Sequence, residues 1–179
     1  MQVHMHRTLK LPASVLTIGA LDGVHRGHQT LISTAKKRAI ELAVPLVVYT
    51  FDPPPRVFFG NSIQLTTIEE KIKRLGFLGV DHVIVAAFDT DYVARGVESF
   101  LDELGGLKPL EVWEGSDFHF GKNREGNINT LRERFFVQVL EPMRCSSGEI
   151  ISSSRIRFLI MQNMLGQADQ LLGWQGVKA

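Results

Sequence analysis

Cys145 is the only cysteine in 179 residues. No intramolecular disulfide can form, which suits a reducing compartment. An excess of one charge is also lacking: 20 lysines and arginines stand against 19 aspartates and glutamates, for a formal net charge of +1. That balance removes the electrostatic case for nucleic acid or an anionic membrane as partner, though it leaves room for a local basic pocket. No hydrophobic run approaches the roughly 20 residues a membrane helix needs. The opening "MQVHMHRTLKLPASVL" contains no unbroken apolar stretch of signal-peptide length. Repeats, low-complexity tracts and linkers are missing, and "GGLKP" (105–109) is long enough only for a turn. These absences lead to the expectation of one cytoplasmic domain over residues 1–179.

What is present is apolar and periodic. Hydrophobic residues make up 44% and charged residues 22%, a balance that builds a core and excludes a disordered chain. Apolar, β-branched runs at 14–19, 44–51, 82–88, 109–115 and 135–142 predict five strands. Between and after them, helical spacing predicts helices over 29–42, 66–79, 96–106 and 152–165, and a last one ending near Leu172. Thr67 and Glu70 have the spacing of a capping box. Strands apolar on both faces, alternating with helices, predict a doubly wound, mainly parallel five-stranded sheet with helices on both faces, a Rossmann-like α/β fold. Ligands of such sheets sit at the carboxyl ends of the strands.

The turn after the first of those strands reads "GALDGVHRGHQTLI" (19–32). Glycines there let the backbone turn tightly and approach a ligand. A helix start offers unpaired N–H groups and a partial positive charge, both suited to phosphate. His25 and His28, three residues apart at that start, can each donate a hydrogen bond to a polyphosphate. The spacing fits neither a P-loop nor a Gly-x-Gly-x-x-Gly fingerprint. Zinc is disfavoured by the single cysteine and the lack of a third nearby ligand. The alternative is a glycine-rich turn with two solvated histidines.

Two further stretches carry chemistry. "WEGSDFHFGKNREGN" (113–127) sets Phe118 and Phe120 among glycines and the cations Lys122 and Arg124. Aromatics of this kind stack on a flat ring and the cations hold a phosphate. The alternative is a surface loop with one aromatic tucked into the core. "IISSSRIRFLI" (150–160) puts three serines at a helix start and Arg155 and Arg157 in its first turns. Serines there cap the helix, and cap plus arginine makes an anion site.

The histidine turn resembles the motif of the HIGH-type nucleotidyltransferase superfamily. Within it, "TIGALDGVHRGHQTLI" is most similar to the adenylyltransferase module of the prokaryotic bifunctional riboflavin kinase/FAD synthetases. The resemblance runs from about Ser14 to Gly173. It implies transfer of AMP from ATP to FMN, giving FAD and pyrophosphate, with Mg²⁺ accompanying ATP, most of its ligands coming from phosphate and water, and no metal-site residue singled out. It implies that His25 and His28 meet the phosphates of ATP and that Gly19, Asp22 and Gly23 line the nucleotide. Ser153, Ser154 and Arg157 would hold phosphate from the other side. Asp117, Phe118, Phe120, Gly121 and Lys122 would belong to the FMN and catalytic region. Partners would be the small molecules ATP and FMN alone.

Two departures stand beside the resemblance. In "YTFDPPPRVFF" (49–59), Pro54 occupies the place where relatives commonly carry histidine, so any phosphate contact made by that imidazole is lost. After "ADQLLG" only six residues follow, "WQGVKA", where the bifunctional family continues into a riboflavin kinase domain. The expectation is therefore a single FMN adenylyltransferase domain without the kinase. Two other readings stay open: a nucleotidyltransferase with another phosphorylated acceptor, and a flavin- or nucleotide-binding module without turnover.

Overall fold

The computed structural model describes residues 1–60 and 62–174. In chain order the elements are β1 (Gln2–Met5), β2 (Ser14–Ile18), α1 (Arg26–Glu41), β3 (Leu46–Asp52), α2 (Pro55–Phe58), α3 (Ile68–Phe77), β4 (His82–Ala87) and α4 (Thr90–Val93). They continue as α5 (Val97–Gly105), β5 (Pro109–Gly115), β6 (His119–Phe120), a 3₁₀ turn (Lys122–Arg124), β7 (Gly126–Asn127), α6 (Ile128–Arg132), β8 (Val137–Leu140), α7 (Ser153–Met161) and α8 (Leu165–Leu172). Six strands form one parallel sheet in the order β1-β4-β3-β2-β5-β8, and β6 pairs with β7 as a small antiparallel hairpin.

Alternation along the central strands divides the core in two. Val15, Leu46, Val48 and Val83 meet Ile32, Ala35 and Ala39 of α1 and Leu75 of α3 on one face. Leu16, Ile18, Val47, Tyr49 and Ile84 meet Phe100, Leu101 and Leu104 of α5 and Leu131 of α6 on the other. The sheet is covered on both faces, as its doubly apolar strands require. A third cluster joins α7 and α8 through Ile156, Leu159, Ala168 and Leu171.

The sheet has six strands where five are predicted. The extra one, β1, is four residues long and largely exposed, and it forms by pairing Gln2–Met5 with His82–Val85 some 80 positions along the chain. Helix α1 starts at Arg26, three residues before the predicted Gln29, because the His25 side chain serves as its N-cap. Thr67 accepts the Glu70 N–H as a capping box demands, but the Glu70 carboxylate turns instead to Arg74 at 2.8 Å.

The chain order explains where a ligand fits. From β2 it moves to β3 and β4 on one side, then returns to β5 on the other side of β2. The crevice of such a sheet lies at that reversal, outside the carboxyl ends of the strands. The turns after β2, β3 and β5 all open there.

Candidate active site

The β2–α1 turn is strained and tightly gripped. Leu21 and Val24 both adopt positive φ, 48° and 40°, beside Gly23 at 83°. Such backbone costs on the order of 1–3 kcal/mol for each non-glycine residue and persists only where the surroundings over-determine it. They do so here. The Gly23 N–H donates to Thr66 Oγ1 at 3.1 Å, and Arg74 Nη1 donates to the Gly23 carbonyl at 2.9 Å. Gln29 Nε2 and Trp174 Nε1 both donate to the Val24 carbonyl. The Gly19 N–H is spent on the Tyr49 carbonyl at 2.9 Å. The amides of Gly19 and Gly23 are thus structural donors, so a base lying on this turn would meet their surface and not their N–H groups.

His25 and His28 stack, with ring centroids 3.6 Å apart and planes 18° from parallel. His25 Nδ1 accepts the His28 backbone N–H at 3.4 Å, which fixes the His25 hydrogen on Nε2. The His28 Nδ1 is enclosed and has no partner among the described residues. An unprotonated nitrogen is the cheaper atom to leave there, so the same tautomer follows by inference. The pair then offers two Nε2–H donors on one turn of backbone.

Burial keeps both rings neutral. It lowers the His25 pKa to about 4, partly offset by the His25 backbone bond and the Asp22 charge. Burial, then the charges of His25 and Lys71, hold His28 well below the ordinary imidazole range. A histidine whose folded pKa lies below its unfolded value of about 6.5 stabilises the native state above that value, and the stability is lost as pH falls toward the folded pKa. Unfolding free energy should therefore drop between pH 6.5 and 4, by up to about 1.4 kcal/mol per pH unit for each ring. Urea denaturation at pH 7 and pH 5 measures this. Equal stability at the two pH values would mean that the rings are not desolvated.

The serine helix comes down on this turn. Ser152 caps α7 by accepting the Arg155 N–H at 3.3 Å. Ser153 Oγ donates to the Asp22 carbonyl oxygen at 2.9 Å, and Arg56 Nη1 donates to Ser154 Oγ at 2.8 Å. So the turns after β2 and β3 and the start of α7 meet around one point. Arg157 and Asp22, both expected at the nucleotide, are brought together as partners of each other. Both are buried, at 6% and 2% exposure, and they pair at 2.5 Å. Arg157 Nε also donates to the Ile63 carbonyl, and the Asp22 carboxylate accepts from the Leu65 and Thr66 N–H groups and the Thr66 hydroxyl. The pair ties α7 and the segment before α3 to the histidine turn, and Asp22 keeps no oxygen for a ligand.

The β5 loop separates its residues in the same way. Phe120 is a core residue, 7% exposed, with its ring 5.4 Å from Phe100, and not a free stacking platform. Phe118 lies half-buried over it, 5.6 Å away and 23° from parallel. A Cβ on Gly126 would fall 2.6 Å from the Phe120 ring, and one on Gly121 (φ 74°) 2.8 Å from Val97. These two glycines let the hairpin fold onto the core. Asp117 and Lys122 are exposed.

Three residues of this region escape sequence reasoning. Arg56 reaches α7 from the triple proline, as described. Glu114, at the carboxyl end of β5, is 2% exposed and accepts the Ile18 N–H at 2.6 Å. Burial raises its pKa well above the carboxylate range. Lys71 of α3 is fully buried beneath the turn. The available signal is a charge set on an apolar stripe: Lys71 lies between Ile68 and Leu75 on the inner face of α3, and Glu114 interrupts an apolar strand.

The family model described as FAD synthetase matches residues 8–155. A Geobacillus thermodenitrificans protein, provisionally named a bifunctional riboflavin kinase/FMN adenylyltransferase, is 48% identical over 175 residues, covering 97% of this chain and 98% of its own. Proteins of that bifunctional name from Listeria monocytogenes and Escherichia coli K12 are 36% and 34% identical over 169 residues. Each of those two is covered over 54% of its length, so the chain spans about half of them. A crystal structure titled as a macrolide-efflux protein from Streptococcus pneumoniae superposes with a TM-score of 0.84 at 24% identity, covering 96% of this chain and 61% of that one, and so shares the fold. With the family model matched across most of its length and a relative nearly half identical end to end, the chain belongs to the FAD synthetase family.

Proposed function

We propose that this chain is an FMN adenylyltransferase, which joins ATP and FMN into FAD and releases pyrophosphate. The observation that carries the reading is the meeting of the turn that bears two stacked neutral imidazoles with the amino-terminal end of α7, at the carboxyl ends of parallel strands, in a chain of the FAD synthetase family. An oxygen of the FMN phosphate attacks the α-phosphorus of ATP. A new P–O bond forms as the bond to the β-phosphate oxygen breaks, and pyrophosphate carries away the electron pair. No covalent enzyme intermediate is required, so the protein contributes positioning and charge stabilisation.

His25 and His28 donate to the triphosphate as charge moves toward the leaving group. The N–H groups at the start of α7 and the Ser154 hydroxyl, whose oxygen accepts from Arg56 and whose hydrogen stays free, approach from the opposite side, while Ser153 seats α7 on the Asp22 carbonyl. Asp22 and Arg157 act one step back, by holding α7 over the turn. Arg56, an exposed cation on Ser154, supplies charge close to where Pro54 provides none. ATP enters as its magnesium complex, with phosphate and water providing most of the ligands. Phe118 is the flat partner for the flavin, Lys122 the cation for its phosphate, and Asp117 borders the reacting groups. The balanced charge and single cysteine support a cytoplasmic enzyme that works on small molecules. The 179 residues act as one adenylyltransferase domain.

Chromatography of the flavin after incubation with ATP, Mg²⁺ and FMN tests the assignment. FAD should accumulate in proportion to enzyme. FMN returned unchanged, with adenylylation of phosphopantetheine instead, would move the assignment to another acceptor.

A further inference from the structure

Lys71 has no exposed surface and no salt-bridge partner among the described residues. Its ammonium is held by neutral oxygens alone. Nζ donates to the Ala20 carbonyl at 2.9 Å, the Phe51 carbonyl at 3.0 Å and Thr50 Oγ1 at 3.4 Å. All three of its hydrogens are used, so Lys71 does not itself reach a ligand. The carbonyls that it binds belong to the residues that begin the turn after β2 and close β3. Those turns carry His28 on one side and Arg56 on the other.

A buried cation without a counter-ion is costly, and a protein core usually pairs it or replaces it with an apolar residue. Here the nearest acids are otherwise arranged. Asp22 is committed to Arg157, and Asp52 lies at the end of β3 without a bond to Nζ. On α3 itself, Glu70 and Arg74 pair with each other. From the β2–α1 turn, His25 and His28 face the site as neutral rings, and His28 feels the Lys71 charge. Lys71 therefore has no direct ion-pair partner, only the charges of Asp22 and Asp52 acting without contact, and its ammonium lies under the turn where a polyanion is expected.

Resting on the function proposed above, we propose that Lys71 is an electrostatic positioning residue for ATP: its ammonium, fixed under the β2–α1 turn on three neutral oxygens with no contacting counter-ion, supplies positive potential that holds the triphosphate against His25 and His28. The triphosphate is thus its missing counter-ion, met across the turn and not by contact. The group is poised to report this. Burial lowers the Lys71 pKa to about 8, against the weaker opposing pull of Asp22 and Asp52. Bound triphosphate favours the charged form and raises that value, so ATP binding takes up a proton above pH 8. The KM for ATP should then climb above pH 8 by up to about tenfold per unit.

The test uses the whole wild-type chain with ¹³C-labelled lysine. One ε-carbon should titrate near pH 8, well apart from ordinary lysines at about 10.4. Saturation with the ATP analogue carrying a methylene between the α- and β-phosphates should raise it by roughly one unit or more, a tenfold or greater linkage. Adenosine should leave it in place. In kinetics, Lys71→Met should raise the KM for ATP at pH 7 and abolish its pH dependence above 8, with kcat less affected. A lysine titration unmoved by the bound analogue, in a chain that converts FMN to FAD, would overturn this inference alone. Absence of both analogue binding and FAD formation would remove the proposed function and this inference with it.

Discussion

His28→Ala is expected to lower turnover by about 10²- to 10³-fold while the fold survives. The ring is one of two donors fixed before the reaction starts. It stacks on His25 at 3.6 Å and keeps a neutral Nε2–H because burial holds its pKa well below the ordinary value. Removing one preorganised donor to developing transition-state charge costs about 2.7–4 kcal/mol, which gives that range of rates. Little stability should go with it, because the same change removes an enclosed nitrogen that has no partner among the described residues. Steady-state turnover together with a thermal melt decides the matter. A soluble, folded variant within threefold of the parent would place His28 away from the reacting phosphates.

Asp22→Ala should act mainly on the fold. The carboxylate holds Arg157 of α7 and two amides and a hydroxyl of the adjacent Leu65 and Thr66. Breaking a buried pair from one side leaves a buried charge uncompensated, at a cost of about 3–5 kcal/mol. Domains of this size are stabilised by only about 5–15 kcal/mol, so Tm should fall by roughly 6–20 °C. Arg157→Ala should be comparable, and the double variant much milder than the sum, because the second change removes the group that the first had stranded. Additive losses would show that the two side chains do not depend on each other.

Much of the sheet is legible in the sequence because strands 14–18, 46–52 and 82–87 are apolar on both faces, a pattern few other elements share. β1 is not, since four alternating residues become a strand only by pairing with β4. The histidine turn is legible as a ligand site from residue type and spacing. Its tautomers are not, because they depend on which nitrogen the backbone of α1 occupies. Asp22 and Arg157 are 135 positions apart, so no local pattern announces that each is the other's partner. Phe118 and Phe120 point the same way along the chain, and only the Phe100 ring beneath them tells core from surface. Lys71 reads as one more charge on a solvated helix until α3 is seen to press its inner face onto Ala20 and Phe51.

The fate of the α-phosphorus is the most direct test of AMP transfer to FMN. With ATP radiolabelled at that atom, Mg²⁺, FMN and the purified chain, the label should appear in FAD. One unlabelled pyrophosphate should be released for each FAD formed. Label that stays in ATP, or leaves as AMP while the flavin remains FMN, would contradict the account.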